Sequence, residues 1–123
     1  MQRDMDLIRE LLLSIETTDE IPKCHQSSED EARRLNFHLL LLREAKLVAG
    51  FEIEQINADC CAVVPKSRPR LTWAGHEFLD AARSDTIWRS VKSRLGGVAG
   101  TVSFAVLTQI LIDAAKEQLG MKL

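Results

Sequence analysis

The sequence predicts an α+β protein, mostly helical, with a small β-hairpin set between helices. Three observations predict it. Leucines recur at helical spacing through residues 35–46. Phe51 and Ile53 then alternate with Glu52 and Glu54, the period of a half-buried strand. Finally, Arg70 to Trp88, RLTWAGHEFLDAARSDTIW, reads as a strand that runs straight into a helix. Leu71 finishes that strand. Thr72 is placed to cap the helix by accepting from a backbone N–H near Gly75. Gly75, having no side chain, lets the helix lie close to its neighbour.

The elements follow in order. Asp4 caps a first helix to about Glu16, with Met5, Ile8, Leu12 and Ile15 on one face. Thr17 to Ser27 is polar, contains Pro22 and reads as a loop, with room for a short strand near Ile21. Ser28 to Glu31 has the form of a capping box, and the helix after it runs to about Lys46. Leu35, Leu39 and Leu42 make its stripe, Phe37 and Leu41 lie on another side, and Arg33, Arg34 and Asn36 occupy the open wedge. His38, among leucines, reads as a satisfied core or boundary residue.

Asn57-Ala58-Asp59 offers the hairpin turn, and Cys60 to Val64 forms a short apolar strand ended by Pro65. Pro65 and Pro69 frame a basic loop, Lys66-Ser67-Arg68. The helix from Trp73 reaches about Arg83, and Ser84 or Asp85 restarts it with Ile87, Trp88, Val91 and Leu95 as its apolar stripe. Gly96, Gly97 and Gly100 break the chain, and Ser103 caps a last helix to about Leu119, stopped by Gly120. Trp73 and Trp88 are expected to anchor the core or a dimer contact.

At 123 residues the chain suits one domain over residues 1–95, with a C-terminal helix appended over 96–123. Hydrophobic residues make up 46% and aromatics only 5%, so the core is aliphatic and the chain is not disordered. The net charge of −2 hides a division: residues 1–64 hold 7 basic and 13 acidic side chains, residues 65–123 hold 9 and 5. A polyanion would therefore meet the second half. Three cysteines and a charged start from Arg3 to Asp6 argue against a disulfide framework and a secretory leader, and point to the cytoplasm. Gly96 to Ile112 runs 17 residues without a charge, but it is short and glycine-rich for a spanning helix, so no membrane partner is expected.

Two resemblances rest on quoted residues. Asn36-Phe37-His38-Leu39-Leu40-Leu41-Leu42-Arg43-Glu44-Ala45-Lys46-Leu47-Val48 resembles the recognition-helix end of winged-helix repressors, and Leu71-Thr72-x-x-Gly75 resembles their wing-to-helix junction. Those two segments, together with Arg3-Asp4-Met5-Asp6-Leu7-Ile8-Arg9, also resemble an uncharacterised family of small bacterial and phage proteins. The first resemblance implies a winged helix-turn-helix-like domain. The chain departs from that pattern in two places: Thr17 to Ser27 is short and polar for a second helix, and Lys46 stands where glycine is usual.

The winged-helix resemblance implies binding of double-stranded DNA, with Arg33, Arg34 and Asn36 in the groove and Lys66, Arg68 and Arg70 on the backbone. Taken with the resemblance to the bacterial and phage family, it implies a transcriptional regulator from a phage or other mobile element. The acidic run Glu29-Asp30-Glu31 opposes DNA at the same helix, and the acidic first half and the missing preceding helix favour a second reading, a protein-interaction module of winged shape with a protein partner. Phe104, Leu107, Ile110, Leu111 and Ala115 would form a homodimer interface. His76-Glu77 lacks the second histidine of a zinc-protease pair, since position 80 is Asp. Cys24, His25, Cys60 and Cys61 lack zinc-ligand spacing. No enzymatic activity, metal or cofactor is expected.

Overall fold

The first helix begins at Asp4, whose carboxylate accepts from the N–H groups of Asp6 (3.0 Å) and Leu7 (3.3 Å). The computed structural model describes residues 2–22, 29–57, 60–96 and 102–118, with the backbone alone at 56, 57, 60 and 61. Within it lie α1 (Met5–Thr18), α2 (Glu29–Glu44), β1 (Val48–Asn57), β2 (Cys60–Leu71), α3 (Trp73–Ala82), α4 (Asp85–Leu95) and α5 (Phe104–Gln118). The chain is thus α+β, five helices and one two-stranded antiparallel hairpin among the described residues.

The expected caps form. Thr72 accepts from Gly75 N–H at 3.2 Å, Ser84 from Ile87 N–H at 3.3 Å, and Ser103 from Val106 N–H at 3.2 Å. Ser28, Gly97, Gly100, Leu119 and Gly120 lie outside the described residues, as do the turn residues Ala58 and Asp59. Ile21 is not in a strand. It packs against the core instead.

α2 ends in a way that Lys46 makes unusual. Lys46 N–H donates to Arg43 O (3.0 Å) and Leu47 N–H to Leu42 O (3.0 Å), the pair of bonds of a Schellman turn. Buried Leu42 and Leu47 supply its hydrophobic contact. The turn needs a left-handed residue, and Lys46 takes φ 60° where glycine would do so without strain.

The hairpin departs from expectation. β2 does not stop at Pro65 but continues to Leu71, so Lys66-Ser67-Arg68 is strand and not a loop. Phe51 pairs with Pro65 and Ala49 with Arg70, which leaves four residues of β2 opposite Gly50 alone. This is an enlarged bulge. Each strand of a two-stranded sheet has an outer edge, so proline removes no necessary ladder bond there. Gly50 adopts φ +99°, and a Cβ on it would sit 2.3 Å from Arg68 O. Only glycine satisfies both demands.

One core joins all the elements. Leu12, Ile15, Leu39, Leu42, Val48, Phe51, Phe78, Leu79 and Val91 are buried in it together with Leu107 and Leu111 of α5. The Phe104 ring lies 4.6 Å from that of Phe78. The C-terminal helix is therefore packed on α3 and α4 in the same core as residues 1–95.

Candidate nucleic-acid interface

Along β2 the cations at 66, 68 and 70 fall at alternate positions, and all three side chains are exposed. Lys66 and Arg70 make no ion pair among the described residues. Arg68 reaches Asp19, the C-cap of α1, at 2.6 Å, yet keeps 76% of its side chain in solvent. A pair this exposed contributes about 1 kcal/mol or less and yields readily to a stronger anion. Arg43 fixes the hairpin from below, donating to Val48 O (2.9 Å) and to Glu52 (2.6 Å).

α2 offers less than expected. Arg33 lies 3.7 Å from Glu29 and 3.8 Å from Asp30 on its own helix. Arg34 pairs with the Asp4 carboxylate. Asn36 is half-buried and lines a groove of about 320 Å³ with Ile21, Pro22, Ala32, Leu35, Val63 and Pro65. Both arginines thus face carboxylates of this chain, and Asn36 faces the hairpin side of α2.

His38 is fully buried and satisfied at both ring nitrogens. Nε2 accepts from Asp4 N–H at 2.9 Å and Nδ1 lies 2.8 Å from Arg34 O. An accepting Nε2 fixes the tautomer with the proton on Nδ1.

The two tryptophans separate. Trp88 is buried, its indole N–H donating to Asp6 at 2.7 Å. Trp73, expected in the core or a dimer contact, is 81% exposed and bonds through its N–H to Glu77. It cannot be a core anchor: as the first residue of α3 it lies on the side away from buried Gly75, Phe78 and Leu79. Of the residues expected at a dimer interface, Leu107 and Leu111 are buried in the chain's own core, and Phe104, Ile110 and Ala115 are half-buried. Cys24 and His25 fall outside the described residues, as do the side chains of Cys60 and Cys61.

The segment Arg3–Arg9 has a structural role that its composition did not reveal. Arg9 donates to Ala82 O (2.7 Å), Arg83 O (2.9 Å) and Asp85 (2.7 Å), and lies 5.5 Å from the centre of the Trp88 ring. Arg3 donates to Val102 O at 2.7 Å. Asp6 also holds Lys92. Burial works to raise the Asp6 pKa, but the hydrogen bonds from Lys92 and Trp88, with the charges of Lys92 and Arg9, outweigh it and hold the carboxyl below its ordinary value. Glu16 is held low as well, first by its hydrogen bonds from Arg83 at 2.9 and 2.8 Å, with burial opposing.

A carboxylate depressed in the folded state stabilises above its unfolded pKa, and the contribution is lost as pH falls through the folded value. Stability is therefore expected to be level near neutrality and to decline below about pH 4, the ordinary carboxylate range. Asp6→Asn with Glu16→Gln should lower neutral stability by about 1 kcal/mol per site, after screening, and flatten that acid limb in thermal melts. An acid limb unchanged in the double variant would show that other groups produce it.

The fold and its exposed cationic strand define a small α+β protein with no helix among the described residues long and apolar enough to cross a membrane. The chain belongs to the family described as Hypothetical protein (DUF2513), which matches residues 2–101. It is 30% identical over 115 residues to an uncharacterized protein of Haemophilus influenzae, covering 89% of this chain and 92% of that relative. No solved structure matches it.

Proposed function

We propose that this chain is a small non-enzymatic protein that binds double-stranded DNA, with the hairpin as its principal contact. The observation that carries the reading is the run of exposed cations at Lys66, Arg68 and Arg70 on β2, in a chain whose net charge is −2. Three exposed cations on one strand can neutralise neighbouring phosphates once Arg68 leaves Asp19. The element order of helix, hairpin and helix fits a winged-helix regulator acting in the cytoplasm, with the hairpin as wing. Arg33 and Arg34 contribute secondarily: like Arg68, each must first leave a carboxylate of its own chain, and in addition Glu29, Asp30 and Glu31 on α2 repel phosphate beside them.

The test is a mobility shift on duplex DNA with Lys66→Glu and Arg70→Glu together. The expected result is loss of the shifted band, with a smaller loss for Arg33→Glu and Arg34→Glu. Unchanged binding in the hairpin variant would remove this reading. The acidic start of α2, Glu29-Asp30-Glu31, which repels phosphate, favours a second reading as a protein-interaction module. One stoichiometric protein partner recovered without nucleic acid would favour it.

A further inference from the structure

The root of the hairpin carries a feature that phosphate neutralisation does not use. Trp73 stands 81% exposed at the first position of α3. Its indole N–H is bonded to Glu77, which fixes the ring and leaves its faces to solvent. Thr72, the residue before it, donates its hydroxyl to Lys46 O at 2.6 Å and its N–H to Leu47 O at 2.9 Å. This brings the Schellman turn of α2 beside the end of β2. Lys46 and Arg70 are therefore placed at the same corner as Trp73, both exposed and neither in an ion pair among the described residues.

An exposed tryptophan fits two kinds of occupant, a protein and a nucleobase. Protein interfaces centre on several apolar side chains with charge excluded from the middle. Here the exposed neighbours include Glu44, Lys46, Arg70, Ala74, His76 and Glu77, most of them charged. The other large apolar side chain exposed among the described residues, Val106, is on α5. A lone ring flanked by cations matches instead a stacking platform with phosphate contacts beside it. Two acids stand at this corner as well: Glu77 accepts from the indole N–H and keeps its charge, and Glu44 is exposed, so Lys46 and Arg70 balance them.

We propose that this corner is a stacking site for an unpaired nucleobase, with the ring face of Trp73 under the base and Lys46 and Arg70 on its flanking phosphates. This inference rests on the nucleic-acid reading above. It predicts that the full chain prefers DNA with a single-stranded extension to the blunt duplex.

The test compares affinities for a blunt duplex, the same duplex with a short overhang, and the overhang strand alone, using wild type, Trp73→Ala and Trp73→Phe. Because Trp73 is exposed, the melting curves of the variants report whether the fold is intact. The overhang is expected to improve binding by about fivefold or more. Trp73→Ala should remove that gain while leaving blunt-duplex affinity unchanged, and Trp73→Phe should keep much of it. Equal affinity for blunt and overhang DNA in wild type would overturn the inference and leave the duplex reading standing. Trp73-dependent binding of the single strand without duplex binding would uphold the stacking site and remove the duplex reading. Loss of a protein partner in Trp73→Ala, with every DNA arm unchanged, would overturn it in favour of a protein-docking surface.

Discussion

Gly75→Ala is expected to cost about 3 kcal/mol or more and to leave the chain largely unfolded at moderate temperature. A Cβ at this position would lie 2.1 Å from Leu47 O and 3.3 Å from the Leu71 side chain. The Leu47 oxygen is backbone and also accepts from Thr72 N–H at 2.9 Å, so it cannot turn aside. Relief requires α3 to back away from the α2–β1 corner. That movement would break the Thr72 bonds and open the packing of Phe78 and Leu79, both fully buried. Ordinary helix propensity predicts the opposite sign, since alanine is the better helix former. Chemical denaturation of Gly75→Ala decides between them: a midpoint equal to or above that of wild type would show that the helix is not held at this distance.

Gly50→Ala carries the second large effect, about 2–3 kcal/mol, and bears on function as well as stability. Two penalties combine there. The residue sits at φ +99°, and its added carbon would meet Arg68 O at 2.3 Å, Arg68 C at 2.7 Å and Pro69 Cα at 2.9 Å. The bulge of residues 66–69 is folded down onto this glycine, so a methyl group would push out the strand that carries Lys66 and Arg68. Duplex affinity should fall along with stability. Gly96→Ala makes the contrast: φ +59° with ψ −135° strains any side chain there too, but no heavy atom lies within 4 Å of the added carbon, so the cost should be that of the backbone alone, about 1–2 kcal/mol, with binding unchanged. Equal losses at Gly50 and Gly96 would mean that the backbone angle alone matters and that the close approach does not exist.

Much of this architecture was legible because local chemistry dictates it. Asp4, Thr72, Ser84 and Ser103 each combine a side-chain acceptor with the start of an apolar period, and each caps a helix. The alternation through Phe51 and Ile53 fixed β1 for the same reason, since a two-residue period admits one buried face. The failures came from partners distant in sequence. Pro65 and Pro69 read as strand breakers because nothing local says that their strand has a free edge opposite a single glycine. Trp73 read as core, or as a contact in a dimer, from its size; its place at the first position of α3 turns it outward, which removes the core half of that reading.

The candidate interface was half legible. Composition divides the chain into an acidic and a basic half, and within the basic half Lys66, Arg68 and Arg70 are exposed. Arg33 and Arg34 also lie on the open side of α2, but the carboxylates facing them come from the same helix and from Asp4, thirty residues upstream of Arg34. The pattern Arg3–Arg9 was recognisable only as a resemblance. Its physical content, a set of hydrogen bonds to the α3–α4 corner and to residue 102, needs the fold to be seen.

The salt dependence of duplex affinity tests the central claim most directly. Each phosphate contact steepens the slope of log affinity against log salt by about 0.9. Replacing Lys66, Arg68 and Arg70 together by glutamine should make that slope shallower by about 2–3, whereas replacing Arg33 and Arg34 should change it by about 1 or less. A slope unaffected by the hairpin substitutions and flattened by those in α2 would contradict the account.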